Sequence, residues 1–283
     1  VGTDLRVHPL PTNTGMPAAD GHGGPSLQME SGMNHRVEAD LYFTSTEQTG
    51  MGRMARTALI ALAVGGLAGL VGLFVDRNEF WRAYLLAWLF CVEIGLGGLG
   101  LALLHHLAGG RWSRDVLPIA LAAARTLPVM GLLFLPLLLA LPQLYPWADS
   151  GQMAADELLR SKSAWLNLPF FVGRMVVYFG VWSGLALLLT RRASRGLAAL
   201  GMILYVLTAT FAAFDWMMSL EPNWFSSIYG LLFLAGAAVA GISLAVIGLG
   251  RSAPHSAAGG VLLQSFNDLG NLLLASVMIW AYF

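Results

Sequence analysis

The chain has 283 residues, of which 57% are hydrophobic and only 11% charged, and its formal net charge is zero. Soluble domains carry roughly 25% charged residues, so this composition specifies an integral membrane protein. Charge balance gives no nucleic-acid footprint, and the one cysteine, Cys91, excludes an internal disulfide, an iron–sulfur cluster or a cysteine zinc site.

Residues 1–52 differ from all that follows. They are rich in Gly, Pro, Ser and Thr, show no apolar periodicity, and read as a soluble, irregular N-terminal tail. No early apolar core marks a signal peptide, and the scattered His8, His22 and His35 lack helical ligand spacing. From residue 53 to 283 the chain reads as a transmembrane helical domain. A spanning helix needs roughly 20 mostly apolar residues. Seven such runs are expected: Thr57–Val75, Ala83–Leu107, Val116–Leu141, Trp165–Thr190, Gly196–Ser219, Trp224–Gly250 and Ala258–Phe283. The fold class is therefore an all-α polytopic bundle. The chain opens on Val1 and closes on an uncharged Trp280-Ala-Tyr-Phe283, which suggests a longer protein at both ends.

The connections set an orientation. One side carries Arg53, Arg56, Arg111, Arg114, Arg191, Arg192, Arg195 and Arg251; the other has Arg77, Arg82, Arg160 and Lys162. Eight against four places the N-terminus in the cytoplasm. The one long connection, Pro142–Ala164, would then lie outside with a short surface helix around Ala154–Lys162 and act mainly as a surface loop. The hairpin Ser219-Leu-Glu-Pro-Asn223 would face the same side, with Trp216 and Trp224 as interfacial indoles.

Five charged side chains fall inside the expected spans: Glu93, Arg125, Arg174, Asp215 and Asp268. Each costs at least ~2.5 kcal/mol at a helix centre. Counting residues from the span ends puts Glu93 level with Arg174 and Arg125 level with Asp268, so two acid–base pairs are expected. Asp215 is left near the outer surface with no arginine at its depth. Gln264, Asn267, Asp268 and Asn271 form one helical stripe, Arg174 and Tyr178 share a face, and Glu93 shares a face with Gly97 and Gly100. Two readings follow. The groups are interhelical glue, or Glu93, Asp215, Asp268, Tyr178, Gln264, Asn267 and Asn271 form a proton path tuned by Arg125 and Arg174. His105 and His106 read as interfacial histidines at a helix end, and Cys91 as a buried small hydrophobe.

Several segments together resemble a known family. They are Tyr84-Leu-Leu86, His105-His106-Leu-Ala-Gly-Gly-Arg-Trp112, Arg125-Thr-Leu-Pro128, Leu144-Tyr-Pro-Trp147, Leu166-Asn-Leu-Pro-Phe-Phe-Val-Gly-Arg174 and Tyr178-Phe-Gly-Val-Trp182. The most telling are Phe214-Asp-Trp-Met-Met-Ser-Leu-Glu-Pro-Asn-Trp-Phe225 and Asp268-Leu-Gly-Asn271 with Trp280-Ala-Tyr282. The chain resembles the ActF-type membrane subunit of bacterial alternative complex III, a quinol:electron acceptor oxidoreductase, and through it the NrfD and PsrC-type membrane anchors. The resemblance implies about ten helices in the whole protein and a place in the bacterial cytoplasmic membrane. It implies partners: membrane lipid, a paralogous quinol-binding membrane subunit, an iron–sulfur subunit and multihaem cytochrome c subunits. Haem c and iron–sulfur clusters would sit in those partners, and this chain would hold no redox centre, though such subunits carry a quinone-binding label. Asn271 departs from the lysine that the family pattern leads one to expect. The rival functions are a stand-alone secondary transporter, with Glu93, Arg174 and Asp215 around a substrate, and a purely structural membrane scaffold.

Overall fold

The structure is a computed structural model that describes residues 56–252 and 259–283. The tail expected over 1–52 lies outside the described residues. Two compact units divide the chain, Val1–Ala68 and Gly69–Phe283. The described part of the first is the beginning of helix α1 (Arg56–Val75), an apolar helix with none of its length buried.

The described residues of the second unit are helices joined by short connections, with no strand among them. Helix α2 runs Arg77–Ala108, α3 Arg111–Ala124, α4 Leu127–Leu139 and α5 Leu141–Leu144. After a 3₁₀ turn at Pro146–Ala148 come two short helices, α6 (Ser150–Ala155) and α7 (Glu157–Ser161). The remaining long helices are α8 (Leu168–Arg192), α9 (Arg195–Trp216), α10 (Tyr229–Ser252) and α11 (Gly259–Tyr282). Among the described residues, six segments are long and apolar enough to cross a membrane: α1, α2, Ser113–Leu139, α8, Arg195–Leu220 and Tyr229–Arg251. The protein is thus a multi-pass helical membrane protein. The seventh expected span forms as α11, 24 residues long.

Three boundaries depart from the sequence reading, each for a local reason. Helix α2 starts at Arg77, earlier than Ala83. Asp76 caps it, its carboxylate accepting from Asn78 N at 3.0 Å and Glu79 N at 3.1 Å. The third span is broken between α3 and α4. Pro128 has no N–H to donate back to the carbonyl of Ala124, so α3 cannot run on into α4 and the chain turns through Arg125 and Thr126. Thr126 covers the gap by donating its hydroxyl to Ala123 O at 2.7 Å. Helix α10 begins at Tyr229, so Trp224 belongs to the hairpin and not to the span.

Helix α2 is the hub, packing on α3, α4, α8, α9 and α10. It is apolar all round, as a core membrane helix must be. Glycines set its closest approaches. A Cβ at Gly97 would meet the Ala237 carbonyl oxygen and the Gly241 backbone of α10. A Cβ at Gly98 would lie 2.6 Å from Ala120 O and 2.6 Å from Ala123 Cβ of α3. The small-residue face read from Gly97 thus does admit a neighbouring helix. Cys91, expected to be buried, is exposed on this helix.

The connection from 140 to 166 is more than a surface loop. Tyr145 and Trp147 are buried at the end of the bundle. Tyr145 donates its hydroxyl to Trp216 O at 2.9 Å, and Trp147 donates Nε1 to Ser219 Oγ at 3.2 Å. Long connection and hairpin therefore share one end of the bundle. The expected single helix in this connection is two, because Asp156 ends α6 and caps α7 through Leu158 N and Leu159 N.

Candidate functional site

The charged side chains converge at the hairpin end. Helix α8 opens there on Asn167, whose side chain accepts from Phe170 N at 3.0 Å, with Pro169 in the first turn. Arg174 and Tyr178 lie one turn apart on α8, on one face. Helix α9 arrives antiparallel and ends at Trp216, so Asp215 sits in its last turn. The side chain of Asp215 is fully buried and that of Arg174 is 7% exposed.

Four donors fill the Asp215 carboxylate. Arg174 grips it twice, Nε to Oδ2 at 2.7 Å and Nη2 to Oδ1 at 2.8 Å. Tyr178 gives its hydroxyl to Oδ2 at 2.8 Å, and Trp165 gives Nε1 to Oδ1 at 3.0 Å. Each oxygen thus accepts two bonds, which uses all of its in-plane lone pairs. The remaining guanidinium nitrogen, Nη1, donates to Trp165 O at 3.0 Å. The Trp165 and Phe170 rings cover the guanidinium carbon at 4.3 Å and 4.4 Å from their centroids. A bidentate, ring-capped pair with every acceptor occupied is the geometry that lets a buried ion pair repay its desolvation.

The pair is tied to its own hairpin. Ser219 donates Oγ to Asp215 O at 2.6 Å, and the same hydroxyl receives Trp147. Burial, and then the Asp215 charge, push the Tyr145 hydroxyl above its ordinary pKa, so it stays protonated and remains a donor. Trp216, expected at the membrane surface, is fully buried. Its Nε1 points to Met175 Sδ at 2.8 Å, and its ring meets Trp88 edge-on at 4.7 Å and Trp182 at 5.8 Å. The indole was drawn inward because its neighbours offer aromatic edges and a sulfur acceptor, which is the surrounding that a buried Trp needs.

The expected partnerships are therefore corrected. Arg174 belongs to Asp215 and not to Glu93. Helical side chains lean toward the N-terminus, so a long arginine on α8 reaches toward the start of that helix, where α9 ends. Counting Cα depth missed this lean. It also misplaced Glu93, because α2 begins six residues before the expected start, about 9 Å of helix. Asp215, read as the acid without an arginine, is the acid with one.

Glu93 is left half-buried in mid-helix with no hydrogen-bond or ion-pair partner among the described residues. It faces α10, where its Oε1 would lie 3.4 Å from a Cβ built at Gly236. Tyr205 and Tyr229 are within its electrostatic reach. One turn further along α2, a cavity of about 230 Å³ opens between Gly97, Gly100, Tyr205, Leu272 and Ser276.

Arg125 and Asp268 form no ion pair among the described residues. Arg125 is exposed at the α3–α4 break and Asp268 is half-exposed on α11. Helix α11 packs through Ser265, Leu269 and Ser276, with Ser265 donating to Asp115 Oδ2 at 3.1 Å. Its small and apolar residues take the packing face, so Gln264, Asn267 and Asn271 are exposed on a neighbouring one. No hydrogen bond among the described residues joins the stripe to Glu93 or to Asp215. His105 takes a bond between Nδ1 and Ser113 Oγ at 2.7 Å, while His106 Nε2 is buried without a hydrogen-bond partner among the described residues.

Sequence reading missed Trp165, Tyr145, Trp147 and Ser219 as parts of the Asp215 site. The available signal was the clustering of Trp and Tyr at and just outside the expected ends of the spans. No protein-family model matches the chain, and no curated protein does.

Proposed function

We propose that this chain is a membrane subunit of a respiratory quinol:electron acceptor oxidoreductase of the alternative complex III type, with an NrfD-like bundle in a bacterial cytoplasmic membrane. One observation supports the reading above others. Four segments that carry the sequence resemblance are far apart in the chain: Leu144–Trp147, Leu166–Arg174, Tyr178–Trp182 and Phe214–Phe225. Their polar groups meet around one carboxylate and its hairpin. The motif residues thus form one physical unit, a rigid end of the bundle on which an extramembrane partner can rest.

In this reading the Asp215 site holds the partner-facing end in shape. It is not a proton carrier, since a carboxylate with four donors has no free acceptor position. Any proton conduction falls to Glu93, the acid without a partner, with Tyr205 and Tyr229 around it. The hairpin end is assigned to the outside on the arginine asymmetry, with the N-terminus cytoplasmic. An iron–sulfur subunit, multihaem cytochrome c subunits and a paralogous quinol-binding subunit are the proposed neighbours, and the redox centres are theirs. Quinol is oxidised in the paralogue in this scheme.

Purification in mild detergent tests the assignment. Co-purifying c-type haem and an iron–sulfur protein, with quinol oxidation by the assembly, is the expected result. A chain that purifies alone and transports a solute in liposomes would make it a secondary transporter instead. Orientation has its own test. Ser150→Cys should react with an impermeant thiol reagent from outside; protection there would invert the topology.

A further inference from the structure

Beside the Asp215 site, and sharing Trp165 and Ser219 with it, a cavity of about 400 Å³ opens at the hairpin end. Trp165, Phe211, Phe214 and Phe225 line it with carbon, and Lys162 and Trp224 stand in its wall. Its position follows from the fold, since α8 begins and α9 ends there, which is the level where a bilayer's hydrocarbon gives way to headgroups. Phe225 is 81% exposed and Phe211 41%. Such rings at a span end need an apolar neighbour.

The polar groups at this cavity are few and distinctive. Lys162 donates Nζ to Pro222 O, which closes the trough between the α7–α8 connection and the hairpin. An ammonium has three donors, so two remain. Lys162 has no carboxylate within ion-pair distance among the described residues. Trp224 has no hydrogen-bond partner for its indole N–H among those residues either. Arg174 offers nothing here: its charge is spent on Asp215 and its face is covered by Trp165 and Phe170. What remains is a carbon-lined trough with an uncompensated cation and a free indole donor. That combination matches an amphiphile with an acyl chain and a phosphate. The exposed Glu221 carboxylate, next in chain to Pro222, favours a headgroup that also carries an ammonium over a purely anionic one.

We propose that this trough is a specific glycerophospholipid site: one acyl chain lies against Trp165, Phe211, Phe214 and Phe225, and the phosphate sits on Lys162 with Trp224 as second donor. The site does not depend on the respiratory reading above. The bound lipid would bridge the hairpin to the α7–α8 connection and so complete the rim around the Asp215 site.

The test uses the full chain, delipidated in an alkyl glycoside detergent and titrated with dioleoyl phosphatidylethanolamine or phosphatidylglycerol under native mass spectrometry. One tightly held phospholipid is expected, with phosphatidylethanolamine preferred. Lys162→Met should weaken it about tenfold, the loss of one charge-assisted contact, and Lys162→Arg should retain it. Ala164→Trp, which fills the trough and keeps the lysine, should abolish the adduct. Glycerophosphoethanolamine, a headgroup without chains, should not compete. Unchanged affinity in both Lys162→Met and Ala164→Trp would overturn the proposal, as would equal competition by the chain-free headgroup. Unaltered near-ultraviolet dichroism in each variant separates lost binding from lost fold.

Discussion

Asp215 and Glu93 are both acids on membrane helices, and the bundle treats them in opposite ways. Asp215, at a helix end, collects an arginine, a tyrosine and an indole, and every acceptor position is filled. Glu93, in the middle of the hub helix, collects none among the described residues. The difference lies in reach. A helix end is flanked by irregular chain, which can bring Trp165 over the site and turn Ser219 and Tyr145 inward. Mid-helix, only side chains on neighbouring helices are available, and the glycines that let α10 close on α2 supply no donors. A paired buried charge is fixed in one protonation state by its partners, whereas an unpaired one can follow its surroundings.

The largest expected effect breaks the paired side of this contrast. Arg174→Met leaves a buried carboxylate uncompensated and should cost about 3–5 kcal/mol, read as loss of folded protein or a large fall in thermal midpoint in detergent. Arg174→Met combined with Asp215→Leu should recover much of that loss. If the double variant is no better than the single one, the cost lies in packing and not in charge. Asp215→Asn should also impair assembly, because the amide cannot serve four donors.

Packing comes next. Gly97→Leu places a side chain where the α10 backbone runs, and should destabilise by about 1–3 kcal/mol. Gly100→Ala is the milder control, with its Cβ 3.2 Å from the Tyr205 hydroxyl. Equal effects of the two would show that the α2–α10 approach is not the constraint. Smaller again is Tyr178→Phe, which removes one of four donors from a charged acceptor and should cost about 1.5 kcal/mol. A neutral result would mean that water replaces the hydroxyl and that the site is wetter than its burial suggests.

The smallest stability effects belong to the unpaired groups. Glu93→Gln should change stability by less than about 0.5 kcal/mol, and Arg125→Gln likewise. Their value is functional. If the bundle passes protons, Glu93→Gln should lower the proton-to-electron ratio of reconstituted vesicles while haem content and quinol oxidation hold. An unchanged ratio would leave the chain as a scaffold.

Much of this was legible in the sequence and some of it was not. The spans were readable because membrane crossing imposes a length and an apolar composition on contiguous residues, and the faces were readable because helical period fixes them. Arg174 with Tyr178, and Glu93 with Gly97, were correctly placed on common faces. The break at Arg125-Thr-Leu-Pro128 was also written in the chain, in a proline whose missing N–H cannot extend α3.

Partnership was a different matter. Residue counting gave each charge a depth, but contact depends on where each helix truly starts, which way its side chains lean, and which residues of a connection fold back. Six residues at the start of α2 separated Glu93 from Arg174, and the lean of an arginine toward its helix N-terminus joined it to Asp215. The α11 stripe shows the same limit, since periodicity defined a polar face while packing of Ser265, Leu269 and Ser276 decided that it would not be the buried one. Sequence alone thus determined a helical membrane protein, its spans and the faces of its helices, because those follow from local composition and a fixed helical period. Tertiary structure alone decided which acid is neutralised by an arginine and which is left without one, because that choice rests on distances between residues dozens of positions apart.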